Sequence, residues 1–166
     1  MSRGFVKEGD QEETPIIPPR ASLPEKAINY VTPNGMEQLI TEKEKLEKER
    51  SELDSINETE RRRELAVING RLALLQERIA SARILDPLEQ PQEEIRFGAT
   101  VTYKMINTNT INTFQIVGVD EADLKQKKIA FVAPIAAAIT GHKKGDIIDF
   151  KLGNEIRKIQ ILEIAY

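Results

Sequence analysis

The sequence predicts an α+β protein: an N-terminal antiparallel coiled-coil hairpin followed by a small antiparallel sheet domain with one short helix. Three observations predict it. Leu39, Leu46 and Leu53 recur at heptad spacing with Met36 and Ile56 in register, and Ile68, Leu72, Leu75, Ile79 and Ala82 alternate four and three apart. That is a coiled-coil seam, and the charge from Glu42 to Glu52 and at Arg71, Glu77, Arg78 and Arg83 leaves it as the only apolar surface for burial. From Ile95 the period becomes two, with Phe97, Ala99, Val101 and Tyr103 on one face of a strand.

The elements follow in order. Pro15, Pro18, Pro19 and Pro24 exclude a continuous helix at the start, so residues 1–31 are expected to be an extended or disordered tail. Ile16 and Ile17 could dock as an extended segment, and Ala21 to Tyr30 could form a short helical turn. Thr32 and Pro33 give an N-cap and a proline at the first helical position. The hairpin spans 32–86, turning at Ser55 to Asn57, where Asn57 and Glu60 mark a new helix start. Two arms of about 24 residues would make a rod of roughly 35 Å.

Asp86-Pro87 ends the helical pattern, residues 87–94 form an acidic linker, and 95–166 form the sheet domain. Strands are expected from Phe97 to Lys104, Thr113 to Val117, Ile129 to Val132 and Asp146 to Leu152, with a loop over Ile106 to Asn112. Pro134 to Thr140 is a short helix, and Gly153-Asn154 is a hairpin turn. In the last strand Ile159 and Ile161 lie in one phase, and Leu162, Ile164 and Tyr166 in the other. A bulge near Ile161 would reconcile them.

Composition narrows the chemistry. The chain of 166 residues is 40% hydrophobic and 31% charged, with a formal net charge of -3. It has no cysteine and one histidine, His142, which excludes disulfides, thiolate metal sites and multi-histidine sites. No apolar run is long enough to span a membrane and no secretory signal opens the chain, so a cytoplasmic protein without membrane contact is expected. The cations Lys125, Lys127, Lys128, Lys143 and Lys144 are too few to make duplex DNA the main ligand.

Several stretches, in this order, resemble the Gre family of bacterial transcript cleavage factors. They are Thr32-Pro33-Asn34-Gly35-Met36, Asn69-Gly70-Arg71-Leu72, Phe97-Gly98-Ala99-Thr100-Val101, Ile116-Val117-Gly118-Val119-Asp120-Glu121-Ala122-Asp123, Ala133-Pro134-Ile135-Ala136 and the ending Glu163-Ile164-Ala165-Tyr166. The resemblance covers Thr32 to Tyr166. It implies an FKBP-like fold for the second domain and RNA polymerase as partner. The sheet domain would dock at the rim of the secondary channel, and the coiled coil would enter it, with contact to nascent RNA possible. Asp120, Glu121, Asp123, Pro134, Ile135 and Ala136 become polymerase-binding candidates.

In such factors acidic tip residues help the polymerase hold Mg²⁺ and an attacking water, so the factor is no enzyme and has no cofactor or metal of its own. Here the hairpin is roughly fifteen residues shorter than in cleavage-competent members, on the order of 11 Å less reach, and the Gly-Asp-x-x-Glu-Asn tip motif is absent. Asp54, Glu58 and Glu60 are the surrogate acids, although acids are expected at any helix start. The expected function is therefore a polymerase-binding elongation regulator, acting as a monomer. Alternatives are a cleavage factor using those acids, an Rnk-like short-hairpin regulator, an FKBP-like prolyl isomerase, or a coiled-coil adaptor for another partner.

Overall fold

The computed structural model describes residues 14–54 and 57–166. Two long helices, α1 (Pro33–Ser51) and α2 (Glu58–Ser81), precede a five-stranded sheet with one short helix, a mixed α+β architecture. The Thr32 side chain caps α1 by accepting from the Gly35 amide, and Pro33 occupies the first turn, where no amide is needed. Asn57 caps α2 by accepting from the Thr59 amide, with Glu58 and Glu60 in the first turn. Leu39, Leu46, Ile68, Leu72 and Leu75 are buried between the helices, with Met36, Leu53, Ile79 and Ala82 partly buried beside them. Ser55 and Ile56, expected in the turn and the seam, lie outside the described residues.

Both helices stop short of the expected limits. At 19 residues, α1 is about 28 Å long rather than about 35 Å. Beyond α2 the chain turns extended, and β2 (Arg83–Ile84) pairs in parallel with β1 (Tyr30–Val31). This ribbon corrects the expectation of a helical turn reaching Tyr30; only a tight turn forms, where the Ala27 amide donates to the Pro24 carbonyl. The ribbon ties the start of α1 to the end of α2. The Asn29 carbonyl accepts from the Arg83 amide and the Val31 carbonyl from the Leu85 amide.

The sheet runs in the order β5 (Lys128–Ala130), β4 (Thr110–Val117), β3 (Thr100–Met105), β7 (Glu155–Ala165), β6 (Ile147–Leu152). All neighbours are antiparallel except β4 and β5. The polar residues expected to loop over 106–112 in fact enter β4 at Thr110, because hydrogen-bonded pairing down to Met105 and Thr110 outweighs their composition. The pairing of β3 with β7 slips between Thr102 and Tyr103, which face Glu163 and Ile161. Leu162 is the extra residue, so Ile159, Ile161 and Ile164 all reach the core side.

One face of the sheet is covered by α3 (Pro134–Ile139), which buries Ala136 and Ile139 completely. The core is completed from the helical side. Tyr30 stacks obliquely on Phe97 at 5.9 Å and edge-on to Phe131 at 5.7 Å between ring centroids. The chain can pass there only because Gly118 has no side chain: a Cβ on it would lie 2.6 Å from the Tyr30 carbonyl oxygen.

Candidate functional site

Three places collect the residues singled out from sequence: the free end of the helix pair, the loop after β4, and the start of α3. At the free end Asp54, Glu58 and Glu60 are exposed. Close by, Glu49, Glu52, Leu53, Asp54, Arg63, Glu64, Val67 and Ile68 line a recess of about 650 Å³ between the two helices. Among the described residues no group of three or more histidine, aspartate, glutamate or cysteine side chains is arranged to hold a metal ion. The three acids are exposed hard oxygen donors.

The loop after β4 is the junction between helices and sheet. Glu121 is buried, and its two carboxylate oxygens accept from the Thr32 hydroxyl, from Asn34 Nδ2 at 2.8 Å and from Lys128 Nζ at 3.3 Å. Thr32 thereby caps α1 and links it to the sheet, and a carboxylate sits where the helix dipole favours negative charge. Asp120, its side chain only 7% exposed, accepts from Arg20 Nε at 3.0 Å and from Arg78 at 3.2 Å. Asp123 accepts from the Lys125 amide and caps a single 3-10 turn. The acids expected to face a partner are thus engaged within the chain.

At α3 the three candidates separate. Pro134 is exposed at the first turn, Ile135 is half-buried against the core, and Ala136 is inaccessible. An outside partner can touch Pro134 and the edge of Ile135 but not the Ala136 side chain. Beside them a cleft of about 460 Å³ opens between α3 and the end of the sheet, lined among others by Tyr103, Met105, Phe150, Leu152 and Arg157. Burial pushes the Tyr103 phenol above its ordinary value. His142 lies 3.2 Å from Asp146, whose carboxyl is held below its usual range by the Lys143 amide and by His142. That pair closes a turn.

Sequence reading missed the junction. Its partners are Thr32 with Glu121 and Arg20 with Asp120, pairs far apart in sequence that no local period connects. A usable signal was present: two carboxylates follow directly on the apolar run Ile116 to Val119, where a strand end is buried and a charge must find a partner.

Two long helices are joined to a five-stranded sheet through part-buried ion pairs, with exposed acids at the free end of the helices and a short helix on the sheet. The family description "Transcription elongation factor, GreA/GreB, C-term" matches residues 90–166, which hold the sheet and α3. Over 106 residues the chain is 37% identical to transcription elongation factor GreA of Halorhodospira halophila, a match covering 63% of this chain and 67% of that protein. It is 40% identical over 100 residues to GreA of Neisseria meningitidis serogroup A, covering 60% of this chain and 63% of that one. The chain belongs to the GreA/GreB family, and the match spans about 63% of the length of GreA from Hyphomonas neptunium, N. meningitidis and Syntrophotalea carbinolica. Among solved structures, GreA factor homolog 1 of Thermus thermophilus is 22% identical, with 84% of this chain and all of that one covered at a TM-score of 0.39. A GreA/GreB factor of Nitrosomonas europaea gives 22% identity, 85% and 100% coverage and a TM-score of 0.40.

Proposed function

We propose that the protein is a transcription elongation factor that binds RNA polymerase at its secondary channel and modulates elongation without cleaving RNA itself. The observation that carries this reading is the unbroken family match across 90–166, the part that holds the exposed Pro134. In this reading the sheet domain has the FKBP-like form, docks through Pro134 and Ile135, and sends α1 and α2 into the channel as a coiled-coil hairpin. Asp120, Glu121 and Asp123 support that docking face from within by fixing the loop that joins it to the helices. The protein works as a monomer in the cytoplasm; among the described residues no helix is long and apolar enough to cross a membrane.

The short tip decides what the factor does. A carboxylate must come within about 2.0 to 2.6 Å of a divalent cation to bind it, and arms shortened by on the order of 11 Å hold Asp54, Glu58 and Glu60 back from the polymerase's Mg²⁺. Those acids remain suitable donors, so the test is direct. A backtracked elongation complex is assembled, and 3′ transcript cleavage is followed with and without the protein and its Asp54→Ala, Glu58→Ala and Glu60→Ala variants. Binding with no added cleavage is expected. Strong stimulation lost in one variant would make that acid functional, and failure to co-purify with core polymerase would overturn the reading as a whole.

A further inference from the structure

The segment before the helices is built into the junction. Ile17 lies against Gly70 in the middle of α2, so closely that a Cβ on Gly70 would meet Ile17 Cδ1 at 2.1 Å. Three residues on, the Arg20 guanidinium forks onto Glu42 of α1, with its nitrogens 2.8 and 3.0 Å from the two carboxylate oxygens. The same group donates through Nε to Asp120 of the sheet domain. Arg78 of α2 closes the circuit, donating to Asp120 and to the Ala21 carbonyl. Arg20 thus holds one helix and the sheet domain at once, and its side chain is only 17% exposed. Both of its partners are charged, which makes these the stronger class of hydrogen bond.

We propose that residues 14–22 are a strap that fixes the angle between the helix pair and the sheet domain, pinned by Arg20 and seated by Ile17 on Gly70. Tyr30, the Thr32 and Glu121 contacts and the β1–β2 ribbon hold the base of the helices, close to the axis about which they would swing. The strap acts farther out, at Glu42 and Gly70, about nine residues or 14 Å along α1 from its start. There it has leverage that the base contacts lack. Mid-helix glycine is among the least favourable helix formers, and at position 70 its missing side chain leaves the space that Ile17 fills.

The test uses the full chain, which has no cysteine of its own. Glu44→Cys on α1 and Glu163→Cys on β7, both exposed, carry spin labels whose separation is read by pulsed electron resonance. Adding Arg20→Ala is expected to broaden a narrow distance distribution. An unchanged distribution in the folded variant would overturn the proposal. Gly70→Ala keeps the reading decisive if Arg20→Ala does not fold, because alanine favours the helix while it displaces Ile17. With the strap docked, trypsin should cut after Arg20 about tenfold faster in Gly70→Ala than in the parent, since cleavage follows the population of the open form. Equal rates would overturn the seat on Gly70. Any consequence for the reach of the tip rests on the polymerase reading, whereas both measurements need no polymerase and can fail separately.

Discussion

Glu42 is where a single proton changes what the chain can hold. Its carboxyl is held below the usual glutamate range, first by the hydrogen bonds from Arg20 and then, against the opposing effect of burial, by the charges of Arg20 and Arg71. A lowered carboxylate value means that this contribution is fully present above the unfolded value of about 4.3. It is lost as pH falls through the folded value. The groups facing it are Arg20 and Arg71, with Asp120 and Arg78 beyond Arg20. Labels at positions 44 and 163 should therefore report a narrow distance at neutral pH and a broad one only below about pH 4.3, and broadening already near pH 6 would assign the effect to another group. Glu121 differs because it is buried against Lys128. Glu121→Gln should lower unfolding free energy by about 1 to 3 kcal/mol, because it leaves a mostly buried ammonium short of its counter-charge. Urea unfolding measures this, and an unchanged midpoint would remove Glu121 as the support of the junction.

Among the elements, the helix pair is held along its length by its apolar seam. Leu75 is fully buried, whereas Ile40 on the same pair is 43% exposed. Leu75→Ala should cost about 2 to 5 kcal/mol, while Ile40→Ala should stay near about 0.5 kcal/mol; similar losses at both sites in urea unfolding would refute the assignment of the seam. That seam could be read from sequence because heptad spacing is local information, and so could the bulge at Leu162, since two apolar phases in one strand admit few solutions. The caps at Thr32 and Asn57 were equally legible. The β1–β2 ribbon was not, because two residues carry no period and parallel pairing links positions more than fifty apart. The same limit hid most of the junction: the acids Asp120 and Glu121 stood out as charges in a turn, but nothing in their neighbourhood names Arg20, Arg78 or Thr32 as partners. The start of β4 was obscured for another reason. Thr110 to Asn112 look like a loop by composition, yet the ladder to β3 supplies their backbone hydrogen bonds.

At the scale of the molecule, the question is how far the sheet domain stands by itself. The linker boundary expected before Ile95 is crossed by several contacts. The Tyr166 hydroxyl donates to the Glu94 carbonyl at 2.6 Å, Gly98 packs on Pro87, and Glu94 forms an isolated antiparallel bridge with Lys143. Farther upstream, Tyr30 covers Phe97 and Phe131, themselves 5.6 Å apart. The fragment 95–166 retains every strand of the five-stranded sheet and α3, so it should still unfold in one cooperative thermal transition. It loses two aromatic contacts worth about 0.5 to 1.5 kcal/mol each and a part-buried hydrogen bond of about 1 kcal/mol. A domain of this size shifts its midpoint by about 4 to 8 °C for each kcal/mol. The fragment 87–166 regains the Glu94 and Pro87 contacts without Tyr30, and its midpoint should fall between that of 95–166 and that of the full chain. Circular dichroism melts of the three proteins order them, and a broad, non-cooperative melt of both fragments would show that the helices are required for the sheet to fold.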